Sequence, residues 1–202
     1  NTDFRNKVDD YFDKNLTSKL EDGWMKTKDG EYIYPDIQKE DAMNYSPNLT
    51  AGKIFVEQYH CHPAGQSCIP SLADLQKMAL YYQTGRIDVP NYSYGVISDI
   101  GCISIVITSE EKYAMFAQAA YNTEKKPEEW VSDNWKEYVI NKASGTPEAS
   151  VGKLINFFNK SNAGLSAIFR TMSPENKGNH RNENWVAKDI DKSENYINAN
   201  CN

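Results

Sequence analysis

The chain has 202 residues, 40% hydrophobic and 25% charged, with 13 tyrosines; this is enough for one domain of ordinary size with a buried core and excludes a disordered chain. A net charge of −6, from 28 acidic against 22 basic side chains, argues against a nucleic-acid backbone or a polyanionic membrane as the main partner, because phosphate binding needs clustered Lys and Arg. No run approaches the roughly 20 apolar residues of a membrane span, and Asn1-Thr2-Asp3 lacks signal-peptide anatomy, so we expect a soluble chain, processed or cut from a longer protein, whose compartment is open.

Residues 2–20 carry Phe4, Val8, Tyr11, Phe12, Leu16 and Leu20 at three- and four-residue intervals, the stripe of an amphipathic helix that covers one face of a sheet. Gly23 and Asp29-Gly30 bracket Trp24-Met25-Lys26-Thr27, and Tyr32-Ile33-Tyr34 follows, which predicts a β-hairpin with Glu21 at its mouth. Residues 36–50, with Pro47 and several Asn and Ser, predict a loop or short helix over a site entrance. A strand over 53–59 precedes a helix over 71–84, whose Leu72, Leu75, Met78, Ala79 and Tyr82 share one side and which Gly85 terminates. Residues 92–97 and 102–107 read as neighbouring strands turned at Asp99-Ile100-Gly101, and 109–121 as a second helix opened by Ser109 and Glu110-Glu111. A segment starting at Pro127 is marked by Trp130, Trp135, Tyr138 and Val139. A short helix over 150–160 and late strands over 165–172 and 185–190 follow. The Asn-rich stretches 173–183 and 192–202 are expected to be loop and tail, with His180 solvated.

The chemistry concentrates in Gln58-Tyr59-His60-Cys61-His62-Pro63. Two residues apart on a strand, His60 and His62 project from the same face, as chelating imidazoles do. Asp74 stands twelve residues beyond His62, in the first turn of the following helix, where a loop bounded by Pro63 and Pro70 can return it to the histidines. Two imidazole nitrogens and a carboxylate suit Zn²⁺, and three protein ligands leave a fourth tetrahedral position for water. Each half of the pattern has an ordinary explanation alone, the histidines as ring side chains on a strand and Ser71-x-x-Asp74 as a capping box; their combination at this spacing favours metal. Cys61 turns to the opposite face and should pack as core rather than act as a nucleophile. Cys61, Cys68, Cys102 and Cys201 lack the paired spacing of a zinc ribbon and leave the redox state open.

His60, His62, Pro63, Ser71 and Asp74 spell His-x-His-Pro, seven intervening residues, then Ser-x-x-Asp, which resembles the JAMM motif of the JAB/MPN metallopeptidases. Gly65 and Pro70-Ser71 are similar to the RadC-type version, with a loop one residue longer. The likeness covers residues 53–107. It implies an α/β fold of the MPN (cytidine-deaminase-like) type, a curved mixed sheet flanked by helices, as one domain over 1–202. Its motif-bearing core would span about 20–110, with a helical and polar extension over 110–202.

The resemblance further implies Zn²⁺ on His60, His62 and Asp74, an upstream glutamate as general base, and Ser71 as a hydroxyl donor to the tetrahedral oxyanion. Glu21, Glu31, Glu40 and Glu57 are the candidate bases. Fold logic prefers Glu21, which follows the first helix and opens the first strand, whereas Glu57 faces away from the histidines on a regular strand. The implied activity is hydrolysis of a peptide or isopeptide bond in a protein or peptide substrate. A secreted bacterial toxin or effector with an inhibitor or immunity protein is the suspected setting, and an inert MPN-type scaffold the alternative. A zinc deaminase fits poorly, since neither His-x-Glu nor Pro-Cys-x-x-Cys is present.

Overall fold

Helix α1 (Thr2–Asn15) forms where Phe4, Val8, Tyr11 and Phe12 line one side. In this computed structural model, which describes residues 2–38, 43–121, 135–136, 139, 147–180, 182–190 and 196–198, the helix stops short of its predicted end at Leu20. Ser18 Oγ bonds the backbone of Leu20 on both its N–H and its carbonyl, a local alternative that competes with helical bonding, and Leu20 is left exposed.

The predicted hairpin is present as β1 (Asp22–Thr27) and β2 (Tyr32–Ile33), paired Met25 to Ile33. Gly30 takes φ 88° in its turn, a conformation that costs a residue with a Cβ. Within 36–50, expected as loop or short helix, the chain instead adds a two-stranded pair, β3 (Ile37–Gln38) with β4 (Met43–Asn44), before a short helix α2 (Pro47–Thr50).

The motif-bearing strand β5 (Phe55–Cys61) leads through helix α3 (Leu72–Gln83) into β6 (Ser93–Ser98), which lies parallel to β5. After β6 come β7 (Gly101–Ile107) and helix α4 (Glu110–Tyr121). Helix α5 (Pro147–Lys160), β8 (Leu165–Thr171), β9 (Val186–Ile190) and β10 (Tyr196–Asn198) complete the described elements. The result is an α/β protein with a mixed, open sheet, ordered β10-β9-β8-β7-β6-β5-β1-β2, in which β5–β6 is the parallel pair among antiparallel ones. The strand β10 occupies part of the predicted tail. The segment from Pro127 lies outside the described residues apart from Trp135, Lys136 and Val139; Trp135 is buried edge-on against Phe157. Glu40 and Cys201 also fall outside.

Strand alternation sorts the sheet into two faces. Met25, Tyr94, Val96, Ile103, Ile105, Ala167 and Phe169 point to the side covered by α3, α4 and α5, where Leu75, Met78, Phe116, Leu154 and Phe157 close the larger core. Trp24, Tyr59, Cys61, Ile97 and Cys102 point to the other side, where Val8 and Phe12 of α1 bury them. Tyr59 stacks on Trp24 at 5.0 Å, and its hydroxyl meets Ser104 Oγ at 2.6 Å. No described helix is long and apolar enough to cross a membrane.

On the α1 side, the loop before β9 is clasped to the helix by a buried polar network. Arg170, wholly buried, bonds Asp9 Oδ1 at 2.5 Å, the His180 carbonyl at 2.8 Å and the Glu183 carbonyl at 3.0 Å. The expected solvation of His180 is wrong: its side chain is fully buried, with Nε2 at 2.8 Å from Asp13 and Nδ1 at 2.7 Å from Glu183. Asn and Gly around it concealed this, since Glu183 is a local neighbour but Asp13 is brought in by the fold. Burial opposes charge on this imidazole, but its bonds to Asp13 and Glu183 outweigh burial and raise its pKa above the usual 6.5. Burial likewise acts against the Glu183 carboxylate, yet its bonds from Asn176, the Ser173 amide and His180 hold it below the usual 4.5.

The signs are opposite. The His180 contribution is complete below pH 6.5 and is lost as pH rises through its higher folded-state value. The Glu183 contribution is complete above pH 4.5 and is lost as pH falls through its lower one. The clasp therefore stabilises most between those pH values, and urea denaturation of His180→Gln against wild type should show the largest difference there. A gap that instead widens towards alkaline pH would contradict the assignment.

Candidate metal centre

Strand β5 runs through the centre of the sheet, and its even-numbered side chains Gln58 and His60 face the helical layer that includes α3. The His62 amide donates to the Ile97 carbonyl at 2.8 Å, so the register of β5 against β6 extends one step and the His62 ring joins His60 on the same side. Their Nε2 atoms lie 3.0 Å apart. His62 Nδ1 donates to the Ser67 carbonyl at 2.5 Å, which fixes the tautomer and leaves Nε2 as the lone-pair donor. The loop that supplies this carbonyl is tied down by the Gly65 amide, which donates to Asp99 in the β6–β7 turn at 2.9 Å.

Asp74 arrives from α3. The predicted capping box is present: Asp74 Oδ2 accepts from the Ser71 amide at 2.8 Å and from its hydroxyl at 2.7 Å, while the Asp74 amide donates back to Ser71 Oγ at 3.2 Å. The same Oδ2 is 3.6 Å from His60 Nε2. Cap and ligand are thus compatible roles of one carboxylate, and the cap holds it in place.

Donor atoms of His60, His62 and Asp74 all lie within 4.8 Å of one another. Two atoms each about 2.0–2.1 Å from a tetrahedral Zn²⁺ would stand about 3.3 Å apart; the measured 3.0 and 3.6 Å bracket that value. The charge states fit as well. Burial first, then the adjacent His60, lowers the His62 pKa to about 4, so the ring is neutral at pH 7, as a ligand must be. Burial works against ionised Asp74, but His60 and the Ser71 donors outweigh it and hold this carboxyl far below the usual carboxylate range. The group is buried, its donors converge, and it could hold a metal.

The three side chains open into a cleft of about 570 Å³ that Glu21 and Ser71 also line. Antiparallel pairing of Asp22 with Cys61 and Gly23 with His60 brings Glu21, the next residue out, alongside His62. Two of the other candidate glutamates, Glu31 and Glu57, stand elsewhere, and Glu40 lies outside the described residues. Glu31 is engaged with Lys53 at the hairpin turn, and Glu57 turns to the opposite face, where Trp24 Nε1 at 3.3 Å and Lys26 Nζ at 3.5 Å hold it. Ser71 reaches the cleft, but its hydroxyl proton is directed to Asp74. Cys61 faces the α1 core, and burial pushes its thiol well above the ordinary value.

Three lining residues escaped the sequence reading. Gln58 could have been found by stepping back two positions from His60; its Oε1 accepts from the Tyr92 hydroxyl at 3.2 Å. Tyr94 pairs with Gln58 across the parallel ladder and sets its hydroxyl 3.4 Å from His60 Nδ1, a relation no local pattern reveals. Lys77 follows Asp74 by three positions on α3 and also lines the cleft.

Gly23 has a steric role. A Cβ there would meet the Tyr59 carbonyl oxygen at 2.2 Å and His60 Cα at 2.9 Å, both backbone atoms that move only if the β1–β5 pair opens. Gly23→Ala should cost about 2–3 kcal/mol in chemical denaturation and weaken metal retention together with it, because His60 is the residue displaced. An alanine variant with wild-type stability would show that the pair relaxes freely.

No protein-family model matches the chain, and no curated protein matches it.

Proposed function

We propose that the protein is a zinc-dependent hydrolase of amide bonds, of the JAB/MPN type that the JAMM-like residues resemble. The observation that carries this reading is the convergence of His60, His62 and Asp74 at ligand spacing in a cleft that also contains Glu21. The mixed sheet with helices against both faces agrees with an MPN-type architecture. A bound Zn²⁺ would supply Lewis-acid polarisation of the substrate carbonyl and lower the pKa of a water towards about 7.

The side chains divide the remaining work. His60, His62 and Asp74 would hold the ion, and they open onto the cleft that solvent and substrate can enter. Glu21 accepts the proton of the attacking water, whose oxygen bonds to the carbonyl carbon, and delivers that proton to the nitrogen as the C–N bond breaks. Ser71 can donate to the developing oxyanion once its hydroxyl turns from Asp74 Oδ2, leaving the Ser71 amide to keep the cap. The products are a carboxylic acid and an amine. Peptide and Lys-linked isopeptide bonds are the substrates this reading favours.

Protein purified without added metal should contain close to one zinc per chain by elemental analysis, and a peptide and isopeptide library should be cleaved. Glu21→Gln should keep the metal and lower kcat about 10²–10⁴-fold. A fully active Glu21→Gln variant would move the base to another residue. Absence of cleavage by metal-loaded protein across the library would overturn the hydrolase reading.

A further inference from the structure

We propose that Lys77 is the anion-recognition residue of the cleft, and that the amide substrate carries a carboxylate beside the bond to be cleaved. The proposal deepens the hydrolase reading and rests on it for the word substrate. Its basis is the placement of one ammonium group.

Helix α3 buries Leu75, Met78 and Ala79 in the core, while Asp74 and Lys77, three positions apart and so on one side of the helix, face the cleft. Lys77 is half-buried, and among the described residues its ammonium makes no hydrogen bond or ion pair. The Tyr45 ring lies beside it, with Nζ 5.7 Å from the centroid. Arg170, Lys26 and Lys53, by contrast, all sit against carboxylates. Burial of the side chain lowers the Lys77 pKa, opposed by Asp74 and Glu21, while the ammonium itself is not among the buried polar atoms and stays open to the cleft. Such a position favours an incoming anion.

The neighbouring charges explain why a ligand is needed. Among the described lining residues Lys77 is the only ammonium or guanidinium group. Asp74 Oδ2 already caps α3 and faces the histidines. Glu21 is assigned to proton transfer. Both carboxylates act on the Lys77 charge through space and neither forms an ion pair with it, so that charge is open to a ligand whether or not an ion is held. A substrate carboxylate would neutralise it with a charge-assisted hydrogen bond, the stronger kind. Tyr45 beside the ammonium adds an apolar wall against which the substrate stem can lie.

Glutarate and its uncharged analogue glutaramide are the probes. Acetylation of Lys77 by an N-hydroxysuccinimide ester, followed by mass spectrometry on the full chain after chelation of metal, should be slowed several-fold by glutarate and unaffected by glutaramide. Calorimetry on the same sample should show glutarate affinity reduced about tenfold or more in Lys77→Gln, a difference of about 1.4 kcal/mol. On metal-loaded protein, Lys77→Gln should raise KM for peptides with Glu next to the cleaved bond while kcat stays within about twofold. The same variant should leave KM for the Gln-substituted peptides unchanged. Equal protection by both probes, protection by neither, or unchanged glutarate affinity in Lys77→Gln would overturn the proposal. The chelated sample keeps this independent of catalysis: protection without cleavage would sink the hydrolase reading alone, and cleavage without acidic preference would sink only the role of Lys77.

Discussion

His62→Ala should leave the protein folded and without its metal. The substitution removes one of three donors and leaves His60 and Asp74 alone in the cleft; loss of a ligand is expected to weaken zinc by more than about 100-fold, beyond the 10–100-fold typical of outer-shell changes. Elemental analysis after dialysis should fall from near one ion per chain to background, and cleavage should disappear with it. Cys61→Ala is the matched control, because that thiol lies one residue away but packs against α1; it should keep its zinc. Retention of metal by His62→Ala would show that the ion sits elsewhere.

The largest loss of stability is expected from Arg170→Ala, on the far side of the sheet. The guanidinium is fully buried and bonds a carboxylate on α1 and two carbonyls in the loop before β9. Deleting it strands Asp9 and leaves the two carbonyls with Arg5 as their remaining donor, and breaking a buried ion pair costs about 3–5 kcal/mol. The urea midpoint should drop accordingly, and an Asp9→Asn, Arg170→Ala cycle should show strong coupling. Zinc content should be unchanged, since the clasp and the ligands occupy opposite faces. A loss below about 1 kcal/mol would mean that α1 is held by its apolar contacts alone.

Local spacing carried much of the site. The i, i+2 histidines fix their common face by strand alternation, and Ser71-x-x-Asp74 is a helix start whichever role is emphasised. Glu21 is preferred because it follows the first helix and opens the first strand, whereas the pairing of that strand with β5 is visible only in the sheet. What was not legible depends on contacts between distant segments. Tyr94 meets His60 through the parallel crossover, and His180 is enclosed by Asp13 from the other end of the chain. The early end of α1 escaped for the converse reason: Leu16 and Leu20 keep the helical period, but Ser18 bonds the local backbone. The tail looked structureless because the three residues of β10 gain their order from pairing with β9.

The crossover from β5 through α3 also bears on the order of assembly. All three donors fall within one strand–loop–helix unit, with 14 residues separating His60 from Asp74, whereas the bond from Arg170 to Asp9 spans 161 positions. Closing the longer loop costs about 2 kcal/mol more in chain entropy. A ribosome-bound chain thus exposes all three candidate ligands well before Arg170 has emerged, so the His60, His62 and Asp74 group can assemble before the sheet is complete.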